Sequence, residues 1–451
     1  MRRNALAVLS LGLCLLLSAC AVMTPTPTPT PVPPPRPVLA TATAVPRLRE
    51  PVTLTLWHTE PEGSPAAQLL AEMARRFHAH YPWITIEPVY VGGYEDLYRK
   101  ALAAVRAGDP PDLATAYPAH IARLMASGAL VALDSYAEDS DLGLSPGERE
   151  DFFPGFWQAN LYPEFGGQLL SLPYAWQALA LYYNATALKA AGIEGPPRTW
   201  DEFEHACHAA SRGDVTGYAF LDSGLTLIGW LYSRGAEVVD AGGTSATFNA
   251  PQGVESLELL LRLLDTRVAR RLEGEGSDRA TFAGGKAVFA MAGTAELGAY
   301  AEQIGKASKP FAWGCTMIPQ LDSANPRTVA WGAGLCVFRT TEARQQAAWR
   351  FVRWFNDTNQ VAEWASTLGF APVRRSAVEQ LAASGWLAER PVAKEVYDTV
   401  IPYAYPEPPL AEGLAIRRAL EDAWLGSVSD VWSTQDALDM AAGRVNEALS
   451  Q

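Results

Sequence analysis

The residues best placed to do chemistry in this chain are aromatic rings beside carboxylates. The segment WHTEPEG at 57–63 follows an alternating apolar stretch, Val52, Leu54 and Leu56. Trp57, Glu60 and Glu62 therefore sit at the carboxyl end of a first strand, where α/β folds place ligands. Tyr94 opens a second helical region, and Tyr117 follows a short apolar segment at another strand end. In Trp331-Gly332-Ala333-Gly334 the small residues allow close backbone approach while the indole covers a ligand. Trp230 lies in LIGWLYSRG near a helix end, and Tyr403 and Tyr405 lie in the proline-rich YAYPEPP loop. Rings cover apolar C–H faces, while carboxylates and amides take hydroxyls, so the set suits a polyhydroxy ligand. Trp57 and Trp230 read equally as core, and Asp112 as a turn or capping residue.

Catalytic spacings are missing. The chain has no GxSxG elbow, no HExxH, no CxxC, and no Walker spacing around Gly284-Gly285-Lys286. His78 and His80 stand on one helix end, a poor metal pair. No cofactor and no metal are expected. Glu60, Glu62, Asp112 and Asp201 leave a paired-carboxylate hydrolase open as a rival. A net charge of −13 argues against a nucleic-acid partner. Cys315 and Cys336 lie in apolar segments, where an oxidising compartment would permit a disulfide and burial would equally suit free thiols.

The first fifty residues have their own logic. Arg2 and Arg3 precede a short apolar run at 5–17, closed by Leu17-Ser18-Ala19-Cys20. The run is short for a membrane span and reads as a secretory signal over 1–19. Its end resembles the bacterial lipobox, which makes Cys20 the lipidated residue. Residues 20–50, with TPTPTPTPVPPPRP at 24–37, read as a semi-rigid linker that cannot bury enough apolar surface to fold.

The elements that must position the rings alternate between strand and helix, the signature of an α/β body. Ser64-Pro65 caps a helix striped by Leu69, Met73 and Phe77; residues 84–89 give the next strand. Residues 179–183 form a strong strand ending at Asn184. Thr199 and Glu202 make a capping box ahead of Phe203, Ala206, Cys207 and Ala210. Pro251 starts a helix striped by Val254, Leu257, Leu261 and Leu264; AVFAM at 287–291 is a strand. Further helices cover 341–355, 377–381, 413–425 and 434–449.

These segments, in this order, resemble the family 1 extracellular solute-binding proteins of ABC transporters, the sugar, maltose and glycerol-3-phosphate group. The motifs are WHTEPEG, PPDLATAY at 110–117, LLSLPYAWQALALYYN at 169–184, FAGGKAVFAMAG at 282–293, WGAGLCVF at 331–338 and LGFAPVR at 368–374. The resemblance runs from about Val52 to Leu449. It implies a two-lobe, type II periplasmic-binding-protein-like α/β fold with the ligand between the lobes. One lobe would hold 51–160 with 320–353, the other 161–319 with 354–451. It adds Trp176, where the chain crosses between lobes, and Thr294 after AVFAMAG as ligand contacts. It implies a monomer on the outer or periplasmic face of the cell membrane that passes a carbohydrate or polyol to ABC permease subunits. The glycerol-3-phosphate branch carries an arginine where this chain reads EPPLAEG at 407–413, and Arg417 and Arg418 read as a solvated helix face. A neutral sugar, oligosaccharide or polyol is therefore favoured over glycerol-3-phosphate or a glycerophosphodiester. A carbohydrate-active enzyme, or a surface sensor or adhesin with no part in transport, would also fit these residues.

Overall fold

The computed structural model describes residues 50–450; the signal, Cys20 and most of the linker lie outside them. The described body belongs to one compact unit. No helix among the described residues is long and apolar enough to cross a membrane.

Ten strands share one sheet. Its order is Ile84–Tyr90, Val52–His58, Leu113–Ala116, Thr328–Val337, Leu172–Asn184, Ala287–Gly293, Thr216–Phe220, Ala269–Arg271. Trp313–Thr316 joins the far end of Leu172–Asn184, and Ala404–Pro406 pairs with Thr328–Val337. The first three strands are parallel, as short strand–helix–strand connections require. Leu172–Asn184 is the central crossing. Its first half pairs antiparallel with Thr328–Val337, and its second half pairs with Ala287–Gly293.

Local chemistry explains most boundaries. Ser64 accepts the Ala67 amide, and Pro65 starts the helix Pro65–His80, which buries Leu70, Met73, Ala74 and Phe77. Thr199 and Glu202 close their capping box on Trp200–Ala210. The crossing strand is longer than the periodicity predicts, 13 residues rather than five, and reads as a nearly continuous buried run. A strand covered on both faces loses the alternation by which strands are recognised. In Pro251–Asp265 the buried leucines are Leu257, Leu259, Leu260 and Leu263, so the stripe is rotated from the expected Val254, Leu261 and Leu264.

Two large apolar cores flank the sheet. One gathers Leu54, Phe77, Tyr174, Trp176, Phe355 and Trp364; the other gathers Phe203, Tyr218, Trp230, Phe289, Leu420 and Trp424. The helix Thr358–Leu368 goes beyond the helices that the pattern predicts, and it packs on the first core. Trp364 lies 5.0 Å from Tyr174, and Arg76 bridges to Glu363 at 2.6 Å. Residues 358–368 thus pack on the core that holds Phe355 and Tyr174. Cys207, Cys315 and Cys336 are free and buried, so there is no disulfide among the described residues. Each sits as a small hydrophobe, with burial raising its thiol pKa.

Candidate functional site

Five elements bring a cluster of oxygens and rings together at the carboxyl end of the first strand. The loop after Val52–His58 carries Glu60, whose amide donates to His58 Nδ1 at 3.2 Å. His58 is buried, and that burial lowers its pKa, so the imidazole is neutral and can accept this bond. The Tyr174 hydroxyl, at the start of the crossing strand, donates to Glu60 Oε1 at 3.3 Å. Tyr94 is the first residue of Tyr94–Ala107, and Tyr117 caps Pro118–Ala126; their rings stack at 4.0 Å.

The fifth element was not among those singled out in the sequence. Arg417 lies in Gly413–Val428, and its guanidinium stands 5.6 Å from the Tyr117 ring. It is not on a solvated face: its side chain is 18% exposed and forms a bidentate ion pair with Glu407, itself 5% exposed. The same helix packs on Gly224–Ser233 in the second core and reaches Pro118–Ala126, whose Ile121, Ala122 and Leu124 belong to a smaller third core. Just before it, Arg123 donates to the Ala411 carbonyl at 2.9 Å and pairs with Glu412 at 3.2 Å. The segment 407–417 therefore ties the two sides across the cluster. Helical spacing does carry a signal: Arg417 stands four residues after Gly413, three before Leu420 and seven before Trp424, at the edge of the buried stripe.

The electrostatics follow from burial. Desolvation raises the Glu60 pKa, and the Tyr174 hydroxyl offsets part of that rise. Burial raises Tyr94 and Tyr117 as well, with Arg417 opposing the rise at Tyr117. Burial works against the charge of Arg417, but Glu407 outweighs it and holds the guanidinium above the ordinary arginine value. The cluster thus presents phenol hydroxyls as donors, carboxylate oxygens as acceptors, and a charge-compensated guanidinium.

Of the residues singled out in the sequence, Glu60, Tyr94 and Tyr117 come together here. Trp57 is half-buried against the cluster of Leu97, Ala101 and Ala114. Glu62 is exposed on the loop. Trp331 is partly exposed, opposite Gln177 on the crossing strand and beside Gly293. The other candidates lie apart from this cluster. Trp230 is fully buried, its ring packed among Trp200, Tyr218 and Trp424. Trp176 is 1% exposed and packs edge-on against Phe156 at 6.0 Å; its Nε1 has no partner among the described residues. The Thr294 hydroxyl is buried and accepts the Ala178 amide at 3.1 Å, so it anchors the crossing strand. A Cβ on Gly332 would collide with the Ala175 carbonyl and the Trp176 backbone, so close strand packing requires this glycine. Tyr403 is 45% exposed and lines a separate cavity of about 1110 Å³ with Tyr183, Trp313 and Glu395. No metal-ligating group of three or more His, Cys, Asp or Glu occurs among the described residues.

Comparison with known proteins gives the family and the fold. The family model for bacterial extracellular solute-binding proteins matches residues 72–394. The sn-glycerol-3-phosphate-binding periplasmic protein UgpB of Salmonella typhimurium is 27% identical over 429 residues, covering 88% of this chain and 92% of its own. The cyclic α-maltosyl-1,6-maltose binding protein of Arthrobacter globiformis superposes with a TM-score of 0.75 at 24% identity, covering 88% of this chain and 99% of its own. The sugar-binding protein MalE of Xanthomonas citri gives 0.77 at 20%, with 88% and 98% covered. The fold is the two-lobe α/β arrangement of those structures. The match over most of its length makes this chain a member of the bacterial extracellular solute-binding protein family.

Proposed function

We infer that the chain captures a neutral sugar, oligosaccharide or polyol outside the cytoplasm and delivers it to an ABC permease. The observation that carries this reading is the Glu60–Tyr94–Tyr117–Tyr174 cluster facing the Glu407–Arg417 pair. Phenol rings offer faces for C–H groups, and the hydroxyls and carboxylates around them match a polyol's alternating donors and acceptors. The maltose-type and cyclic maltosyl-maltose binding proteins of similar fold support the carbohydrate class. Trp331 and Gln177 extend the surface along the crossing strand. Capture rather than hydrolysis fits the carboxylates: Glu407 is committed to Arg417, whereas a glycosidase needs both members of its pair available to the sugar.

Delivery follows from closure. A ligand touching both lobes stabilises the closed state and shifts a pre-existing equilibrium. Lipidation at Cys20 and the proline-rich linker would hold the body, as a monomer, near its permease. A phosphate-bearing ligand is the second reading, favoured by the similarity to glycerol-3-phosphate-binding relatives and to the Mycobacterium tuberculosis UgpB structure with glycerophosphocholine, TM-score 0.71. One thermal-shift screen over mono-, di- and oligosaccharides, polyols, glycerol-3-phosphate and glycerophosphodiesters separates the two. Stabilisation by neutral carbohydrate alone is the expected result; stabilisation by phosphate esters alone refutes the first reading. Product analysis of each stabilising sugar tests for hydrolysis, and small-angle scattering tests closure.

A further inference from the structure

The Arg417 guanidinium has the planar donor fork with which proteins hold two oxygens of a phosphate. In this chain the Nε–Nη2 fork is already filled. Arg417 Nε donates to Glu407 Oε2, and Nη2 donates to Glu407 Oε1. Both partners are held in place by more than the pair itself. The Glu407 amide donates to the Ala330 carbonyl at 3.0 Å, and the Pro406 carbonyl receives the Tyr232 hydroxyl at 2.9 Å. On the other side, Gly224 packs so tightly on the Arg417 carbonyl that no side chain fits between them. The carboxylate and the cation are therefore fixed by two separate pieces of backbone, beside the Tyr117 ring.

We propose that Glu407 is the specificity-determining residue of this site: an internal carboxylate that occupies the anion-holding fork of Arg417 and sets the site for neutral polyhydroxy ligands and against phosphate esters. The proposal rests on the carbohydrate reading and deepens it. A phosphate approaching Arg417 would find its Nε and Nη2 donors taken and would meet the charge of Glu407 beside them. Repulsion between like charges grows as the surroundings become less polar. A neutral hydroxyl meets no such barrier. It can accept from Arg417 Nη1, which has no partner among the described residues. Rejection by a built-in repulsive group is one of the two routes to specificity.

The test compares wild type, Glu407→Gln and the double variant Glu407→Gln/Arg417→Gln by isothermal titration with inorganic phosphate and with glycerol-3-phosphate. The wild type is expected to show no phosphate-dependent heat. Glu407→Gln is expected to bind both probes at least about tenfold more tightly than wild type. The double variant is expected to lose that gain. Folded Glu407→Gln with no gain overturns the proposal, as does a gain that survives loss of Arg417. Should Glu407→Gln fail to fold, Glu407→Asp keeps the charge while loosening the fork: an intermediate gain supports the proposal and none overturns it. The wild-type arm needs no variant, and phosphate binding there overturns the proposal directly. Failure of the neutral-sugar screen with the phosphate results as expected would sink the carbohydrate reading and leave the fork standing. Sugar binding with an unresponsive Glu407→Gln would sink only the fork.

Discussion

Replacing Trp176 separates a ring that lines a cleft from a ring that holds one together. The indole is 1% exposed, packs edge-on against Phe156 at 6.0 Å, and lies against Gly332 where no side chain fits. Truncating such a ring to alanine costs about 3–5 kcal/mol in lost transfer and cavity terms. The unpartnered Nε1–H works the other way: a buried donor left without an acceptor costs about 1–3 kcal/mol, and any substitution that deletes it recovers that amount. Trp176→Ala should therefore destabilise the ligand-free protein by about 2 kcal/mol, the difference between these two ranges. Trp176→Phe keeps most of the ring, deletes the N–H, and should fall within about 1 kcal/mol of wild type. Chemical denaturation of the three apo proteins, followed by tryptophan-independent circular dichroism, reads both values. A Trp176→Ala protein that unfolds with the wild type while losing ligand affinity would refute the argument and return Trp176 to the binding surface.

Gly332→Ala should cost about 1–3 kcal/mol by overpacking against Ala175 and Trp176, measured by the same denaturation; an unchanged midpoint would mean the strands can part there. The Glu60 pKa is raised by burial, so its folded form holds a proton more tightly than the unfolded chain does. Its penalty is absent below the ordinary value of 4.5 and grows as pH rises through the folded value. Glu60→Gln should accordingly gain apo stability on that limb and none below it, while weakening ligand binding in a titration. Asp151 has the opposite sign: burial raises its pKa, but Ser376 and Arg374 outweigh burial and hold it below 3.8. Its contribution is present above 3.8 and fades as pH falls through the lower folded value, so Asp151→Asn should flatten the acid limb of the stability curve. Thiol-specific reagents should reach Cys207, Cys315 and Cys336 only after unfolding, and reductant should leave the melting curve unchanged.

Local signals carried the α/β class, the first strand with the loop that bears Glu60, the Ser64 and Thr199 caps, and the rings Tyr94 and Tyr117 at element starts. Each is written in a few adjacent residues, as alternation, a hydroxyl three residues before an amide, or a proline at a helix start. The rest depended on partners far away in the chain. Tyr174 reaches Glu60 across 114 positions, and the helix Thr358–Leu368 finds its place only against Tyr174 and Phe355. Trp176 and Trp230 look identical in sequence to rings that would face a sugar, because burial is a property of the assembled cores and not of a residue type. Arg417 makes the same point in reverse. On its own helix it is a flanking polar residue; packing between the two sides of the cluster removes it from water, and Glu407, ten residues earlier, is the charge that makes this burial tolerable. Composition and pattern thus determined what kind of molecule this is, while the choice of groups that meet a ligand was made by long-range packing, which alone decides what is desolvated and beside what charge.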